Sequence, residues 1–316
     1  MAEYERGFSA ASKINELKAA ANDGNAEAMY WLGYKYYYGE DVDDNEDLAE
    51  LWVGKAKDLG YSKAMLDYEK WFSQVPDEEF VINAIDQQYP LKSLFDIYDS
   101  LIVVDTETSG LDSKNNRVIE LAAIKIVAHD GNAEIVDELD EFIKLPEGVR
   151  LDPKITELTG ITEEQLEKEG KSSHEVFTNF VNMFAGETTL FVAYNAQFDL
   201  GFIYWSLVRE QLKDKVKVFD KLDALTIYKD RAQYPHRLEN AIENYNLQDV
   251  VVNSHRAIDD TKALVEVIKA MDYQKSDLHK YINLFGYNPK YGVNGAKFTT
   301  VKYKPQPYNS YKSLYE

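Results

Sequence analysis

Two carboxylates separated by one residue, Asp105 and Glu107, follow a short run of apolar residues. The run at 101–104 predicts a strand buried on both faces, which ends at Asp105. Side chains two positions apart point the same way on an extended chain, so both carboxylates can meet beyond the strand's end. The small residues 108–110 then break the strand. Neighbouring acids repel each other, and a divalent cation with oxygen ligands relieves that repulsion.

The same spacing of two acids occurs at Asp44 and Glu46, and again at Asp77 and Glu79. A solvated helix face or a loop explains those pairs. The buried strand before Asp105 sets that pair apart, but the pair alone leaves both a metal site and a solvated surface open.

A third acid, Asp199, follows the fourth predicted strand. Residues 190–194 predict a buried strand, and residues 196–212 predict a helix that would carry Asp199 in its first turn. A helix N-terminus stabilises a carboxylate in its charged form, which is the form that binds metal. An acid that only complements the helix dipole remains the alternative.

A fourth acid, Asp260, lies five residues after His255. Apolar positions from Leu264 to Met271 predict a helix that begins near Ala257. Five residues turn a helix by about 140°, so the two side chains converge only if His255 lies in the turn before the helix. A partly buried, hydrogen-bonding histidine is the alternative interpretation.

Together these residues would form a site of four carboxylates and one imidazole. Oxygen ligands suit Mg²⁺ or Mn²⁺ better than zinc. Two such ions, about 3.5–4 Å apart, can clamp the attacking and leaving oxygens of a phosphoryl centre. A neutral histidine can accept a proton from the attacking water.

The elements that would position this site alternate between strands and helices. Three strands are followed by helices, one more strand and further helices, which predicts a mixed α/β domain. A turn at 130–132 joins the second and third strands as a hairpin. The expected strands are 101–104, 118–127, 134–145 and 190–194, and the expected helices between the third and fourth are 153–158, 163–168 and 173–184.

Three ordered blocks carry a resemblance to a known family: Asp105-x-Glu107-Thr-x-Gly-Leu111, Asn195-x-x-Phe-Asp199 and His255-x-x-x-x-Asp260. They resemble the DEDDh exonucleases, the family of the proofreading epsilon subunit of bacterial DNA polymerase III, over about residues 99–272. The resemblance implies a ribonuclease-H-like fold. It also implies Mg²⁺- or Mn²⁺-dependent 3′→5′ hydrolysis of nucleic acid, through two ions, that releases nucleoside monophosphates.

Matched residue by residue, the resemblance implies a role for each position. The metal ligands would be Asp105, Glu107, Asp199 and Asp260, with His255 as general base. The substrate-binding residues at the single-stranded 3′ end would be Thr108, Leu111 and Asn195. Tyr194 stands where the family commonly has a histidine. An RNA-trimming or oligoribonuclease-like activity remains open, as does a protein-interaction scaffold.

The scaffold alternative rests on a repeat of period 36 near the N-terminus. Residues 24–29 return as residues 60–65, with Gly, Ala and Met at matching positions. The pattern resembles the Sel-one-like helical repeat, whose members bind proteins. We expect an all-α helical-repeat segment at 1–75 that binds a protein partner or self-associates, or a small helical cap packed on its neighbour. Pro76 and Pro90 mark a linker at 76–98, before an exonuclease domain at 99–275.

Bulk composition narrows the class of protein. A length of 316 residues suggests two domains. The absence of cysteine excludes disulfides and Cys-ligated zinc and is compatible with a reducing compartment. We find no signal peptide and no run long enough to span a membrane, so we expect a cytoplasmic protein without membrane contact. The net charge of −20 argues against a general affinity for polyanions.

The C-terminal tail, residues 276–316, differs in charge from the rest. Residues 280–316 contain six lysines and one acid, interleaved with aromatic residues. Such a mixture suits single-stranded nucleic acid, but it also suits an extended arm attracted to the acidic body, which we favour. If the tail mainly binds substrate, deletion of 280–316 should raise KM and leave kcat nearly unchanged.

Overall fold

The computed structural model describes residues 8–9, 12–72, 91–129, 132–215, 219–251, 256–308 and 313–316, leaving aside the side chains at 46–47, 66 and 69–70. The chain divides into two compact units, Met1–Phe80 and Val81–Glu316. The boundaries expected at 75, 98 and 275 stay predictions. Among the described residues, no helix has the length and apolar character needed to cross a bilayer.

The first unit contains four helices: α1 Ile14–Asn22, α2 Ala26–Tyr38, α3 Glu46–Asp58 and α4 Ser62–Phe72. Asn25 caps α2 by accepting a hydrogen bond from the backbone of Ala28 at 2.9 Å. Helices α2 and α3 approach closely at Gly33, where a Cβ atom would lie 2.5 Å from the side chain of Val53. The likeness to Sel-one-like repeats stays a prediction.

Aromatic side chains pack against one another within this unit. Trp71 stacks on Tyr37 with ring centroids 4.6 Å apart, and it also contacts Tyr30 and Tyr34. Tyr30 and Tyr37 are buried. Part of the aromatic surface is therefore buried by contacts within the unit. Association with a partner stays a prediction.

The second unit is built on a five-stranded mixed sheet in the order β3-β2-β1-β4-β5. The strands are β1 Ser100–Thr108, β2 Val118–His129, β3 Asn132–Phe142, β4 Thr189–Ala193 and β5 Asp220–Asp223. Strand β2 runs antiparallel to β1 and β3, whereas β1, β4 and β5 are parallel. The predicted mixed α/β class is confirmed.

Helices cover both faces of the sheet. They are α5 Lys92–Phe95, α6 Pro153–Thr159, α7 Glu163–Glu169, α8 Ser173–Asn182, α9 Ala196–Arg209, α10 Ala224–Arg231, α11 Leu238–Asn244 and α12 Ala257–Gln274. Side chains of β1 alternate between the two faces: Leu101 and Val103 pack with α12, whereas Ile102 and Val104 pack with α8 and α9. The buried strand is thereby covered on both sides.

Strand β1 is longer than the apolar run suggested. Asp105 pairs with Ala122 and Glu107 with Glu120, so both acids lie within the strand. The prediction that the strand ends at Asp105 is wrong, because the backbone of 105–108 continues to pair with β2. Strand β5 was not predicted, since its sequence, Asp-Lys-Leu-Asp, has no apolar run.

The C-terminal tail belongs to the core of the second unit. It contains two short parallel strands, β6 Leu284–Tyr287 and β7 Lys302–Pro305. Tyr281, Phe285 and Leu314 are buried in the two apolar clusters that flank the sheet. Deletion of 280–316 would open both clusters, so we expect it to unfold the unit. This corrects the expectation that deletion spares kcat.

Candidate functional site

Three carboxylates from two elements converge at one edge of the sheet. Asp105 and Glu107 project from the same side of β1, as alternation along a strand requires. Asp260 lies in the first turn of α12, which packs across β1 and β2. One oxygen from each of the three side chains lies within 4.8 Å of the other two. The structure thus brings together three of the four predicted metal ligands.

The cluster is electrostatically strained without a cation. Burial raises the pKa of Asp105 well above its usual range, and the neighbouring acids Asp199, Glu107 and Asp260 raise it further. Burial likewise raises the pKa of Glu107 to about 8, with Asp260 as the largest coulombic contributor. A bound cation would oppose both shifts, because positive charge favours the ionised form of a carboxylate.

The fourth predicted ligand, Asp199, lies beside this group. It is in the first turn of α9, is 2% exposed and accepts a hydrogen bond of 2.7 Å from the Thr106 hydroxyl. Burial raises the pKa of Asp199 to about 7, against the opposing effect of the Thr106 hydrogen bond. Its oxygens are outside the group of three within 4.8 Å, although its charge raises the pKa of Asp105.

A second buried acid, Asp223, fixes the start of α9. Its carboxylate accepts the backbone N–H of Ala196 at 3.0 Å and the hydroxyl of Thr226 at 2.6 Å. Asn195, just before the helix, adopts left-handed backbone angles, with φ at 65°. Sequence reasoning missed Asp223, and its signal was weak: one acid at the end of an unrecognised strand.

Glu120 and Arg256 form an ion pair that sequence reasoning also missed. The Glu120 carboxylate is fully buried and accepts two hydrogen bonds from Arg256, at 2.9 and 2.7 Å, and one from the backbone of Ala257 at 3.2 Å. The pair therefore fixes the start of α12 against β2, four residues before Asp260. Two features of the sequence could have indicated this ion pair. One is a lone acid in the apolar run of β2, and the other is an arginine directly after His255.

Replacing Arg256 with alanine should destabilise the second unit strongly. The change leaves Glu120 buried and unpaired, which typically costs about 3–5 kcal/mol. Thermal unfolding of Arg256→Ala should therefore begin well below that of the wild type. The double variant Glu120→Gln/Arg256→Ala should recover part of the loss, and equal destabilisation of the single and double variants would contradict the assignment.

Two of the three predicted substrate-binding residues, Thr108 and Leu111, lie at and just beyond the end of β1. The Thr108 hydroxyl donates to the carbonyl of Gly110 at 2.8 Å, and the side chain of Leu111 is 83% exposed. The loop that follows is fixed to α9, because Arg209 donates to the carbonyls of Ser113 and Lys114. The predicted base, His255, lies outside the described residues.

The residues present fit a hard divalent cation. The donors are carboxylates alone, and such oxygen ligands suit Mg²⁺ or Mn²⁺. Burial, and then the charge of the neighbouring acids, raises the pKa values of Asp105 and Glu107, and a bound cation would favour the charged form of both. An acidic cluster of this kind can support metal-dependent chemistry at a phosphodiester.

Two curated proteins share sequence with more than half of this chain. The PolC-type DNA polymerase III of Halalkalibacterium halodurans is 34% identical to this chain over 190 residues. The match covers 57% of this chain and 12% of that protein. The PolC-type enzyme of Clostridium perfringens is 36% identical over 173 residues, covering 54% of this chain and 11% of that protein. This chain thus matches only about a tenth of these relatives' length.

Solved structures show the same fold at lower identity. Exonuclease I from Methylocaldum szegediense superposes with a TM-score of 0.50 at 21% identity, covering 58% of this chain and 42% of that chain. The E. coli Exonuclease I complex with a dT13 oligonucleotide gives 0.50 at 18% identity, covering 58% and 43%. The predicted ribonuclease-H-like fold is confirmed.

A family model covers more than half of the chain. The model named RNase_T, exonuclease, matches residues 102–268, a range that begins inside β1 and ends inside α12. All four carboxylates lie within this range. The resemblance to 3′→5′ exonucleases is thereby confirmed, and the chain belongs to the exonuclease family.

Proposed function

We propose that the protein is a metal-dependent 3′→5′ exonuclease that removes nucleoside monophosphates one at a time from nucleic acid. The observation that carries the proposal is the convergence of Asp105, Glu107 and Asp260, within 4.8 Å, inside the range that the exonuclease model matches. A scaffold would have no use for half-buried acids that repel one another, because unpaired charge removed from water destabilises a fold.

The three converging acids and Asp199 would hold the cations, for which we propose two Mg²⁺ or Mn²⁺ ions. When bound, such ions neutralise the carboxylates and supply positive charge to the scissile phosphate. Thr106 holds the Asp199 carboxylate in place through its 2.7 Å hydrogen bond. The Glu120–Arg256 pair does the same for the helix that carries Asp260.

His255 is the residue that we propose as general base. It immediately precedes Arg256, whose guanidinium is fixed to Glu120 at the start of α12. The chain therefore enters the helix next to the carboxylates. A histidine beside the reacting phosphate would accept the proton of the attacking water.

Leu111 is the residue that we propose as the contact for the 3′-terminal base. A leucine that is 83% exposed at the end of β1 has an apolar surface available for packing. Thr108 and Asn195 would hold the sugar and phosphate of the same nucleotide, since Thr108 ends the strand that carries two of the acids and Asn195 directly precedes the helix that carries Asp199. DNA is the first substrate to test, because the curated relatives are DNA polymerases; RNA trimming is the second.

End-labelled oligonucleotides test this function directly. A 5′-labelled single strand incubated with Mg²⁺ or Mn²⁺ should shorten stepwise, and a 3′-labelled strand should release labelled mononucleotide at once. Chelation by EDTA should stop both reactions. The same strands made of RNA decide between the two substrates, and release of mononucleotide from the 5′ end first would contradict the proposal.

A further inference from the structure

The C-terminal tail contains an exposed loop, residues 288–301, between β6 and β7. Its two ends are fixed to the sheet: Asn283, just before β6, accepts a hydrogen bond from the backbone of Lys302 at 2.7 Å and donates its own N–H to Lys221 of β5 at 2.8 Å. Both ends of the loop are therefore held in place by the folded core.

Gln197 fixes this loop to the first turn of α9. Its side-chain amide donates to the carbonyls of Asn294 and Ala296, both at 2.9 Å, and its oxygen accepts the Tyr303 hydroxyl at 2.7 Å. Gly295 lies between the two carbonyls with φ at 74°, a left-handed turn that favours glycine. The turn directs both carbonyls to one donor.

A second set of hydrogen bonds joins the tail to the same turn. The backbone of Gly286 donates to the Thr226 hydroxyl at 2.9 Å, and Thr226 donates to Asp223 at 2.6 Å. Asp223 in turn accepts the N–H of Ala196, the first residue of α9. The tail is thus tied to the start of α9 at two points.

This placement brings the loop to the edge of the sheet where the acids lie. Helix α9 begins where β4 ends, and β4 is parallel to β1. Carboxyl ends of parallel strands meet at one edge, which here also carries Asp105 and Glu107. Gln197 itself lies two residues before Asp199 in the chain.

The loop also adds positive charge to a chain whose net charge is −20. Residues 278–315 contain no Asp or Glu, and the loop carries two exposed lysines, Lys290 and Lys297. The Lys297 ammonium lies 5.6 Å from the ring centroid of Tyr303, the residue bonded to Gln197. An acidic chain that handles phosphates needs such a local source of positive charge.

The geometry points to this loop as one wall of the substrate channel, where Lys290 and Lys297 contact phosphates of the single strand on the 5′ side of the terminal nucleotide. Lysine ammonium groups pair with phosphates regardless of sequence, and nearby aromatic rings offer stacking surfaces to unpaired bases. The proposal rests on the proposed exonuclease function, because it assigns a contact to that reaction's substrate.

Substrate length separates this contact from the chemistry. We expect Lys290→Gln/Lys297→Gln to raise KM for a 12-nucleotide strand about 10-fold, with kcat nearly unchanged, and to flatten the salt dependence by about 0.7 per lost phosphate contact. Hydrolysis of the p-nitrophenyl esters of thymidine and uridine 5′-monophosphate should stay at the wild-type rate, because these probes have no upstream phosphates.

Two further variants sharpen the test. Gln197→Glu removes the amide donor to Asn294 and Ala296 while keeping the size of the side chain, so it should raise KM for the 12-nucleotide strand as well. Lys215→Gln is the matched control, because this exposed lysine follows the C-terminal end of α9, whereas Gln197 is in its first turn. It should behave as the wild type.

The outcomes distinguish this proposal from the proposed function. If the double variant has the wild-type KM and salt dependence, the proposal that the loop contacts substrate is wrong. That result would leave the proposed exonuclease function unaffected. If the wild type hydrolyses neither strand nor ester, the proposed function fails. Fluorescence anisotropy of a labelled 12-nucleotide strand then decides the loop contact alone, and equal Kd values for wild type and double variant would overturn it.

Discussion

Asp105→Asn should remove nearly all hydrolysis and at the same time stabilise the metal-free protein. The amide replaces a carboxylate that we propose as a metal ligand, and loss of a residue that merely orients a ligand already costs about 10–100-fold. We expect the loss of single-turnover rate to exceed that range. The measurement is hydrolysis of the end-labelled strand at saturating Mn²⁺.

The stability effect follows from the raised pKa of Asp105. An acid with a pKa raised by folding stabilises the protein while it is protonated and destabilises it as pH rises through the folded-state pKa. Metal-free wild type should therefore lose stability as pH rises above about 4, the pKa of an unfolded aspartate, and Asp105→Asn should lose less. Each kcal/mol relieved raises Tm by about 2–4 °C.

Asp137→Asn is the control for both effects, because it removes the same charge from an exposed position on β3. It should keep the wild-type rate, and its Tm should follow the wild type across pH. A Tm of Asp105→Asn that is equal to or below that of the wild type at pH 8 would contradict the electrostatic account of the cluster.

His255→Ala should slow hydrolysis by about 10²–10⁴-fold, the usual contribution of a positioned general base. Metal and strand binding should be unchanged, because the proposed ligands are the four carboxylates. Added imidazole should restore part of the rate, since a free base can occupy the space that the side chain leaves. Single-turnover hydrolysis, with and without imidazole, measures both effects.

His279→Ala is the matched control, because His279 is exposed in a short 3₁₀ helix at Leu278–Tyr281. It should retain the wild-type rate. Equal rates for His255→Ala and His279→Ala would mean that His255 has no part in catalysis.

The sequence predicted the parts of the fold that have a strong local signal. The apolar run before Asp105 and the helix after Asn195 appear where their patterns placed them, although β1 is longer because pairing with β2 extends it. The convergence of Asp105, Glu107 and Asp260 could be predicted because local rules set their side-chain directions. These rules are the alternation of side chains along a strand and the position of an acid at a helix start.

The parts that depend on distant contacts had no such signal. Glu120 and Arg256 are 136 residues apart, and only the packing of α12 on β2 brings them together. Strands β6 and β7 pair with each other in a segment rich in Gly and Pro. That segment has no sustained alternation of apolar and polar residues that would predict a strand. The anchor at Gln197 is likewise a tertiary contact between residues about a hundred positions apart.

Isothermal titration of Mn²⁺ into wild type, Asp105→Asn and Asp137→Asn is the most direct test of the carboxylate cluster. At pH 7 in two buffers of different ionisation enthalpy, wild type should bind Mn²⁺ and release protons, because the pKa of Glu107 is raised to about 8 and that of Asp105 is raised as well. Asp105→Asn should bind far more weakly, and Asp137→Asn as wild type. Binding by wild type without proton release would contradict the raised pKa values of these acids, and equal binding by all three proteins would contradict a metal site at them.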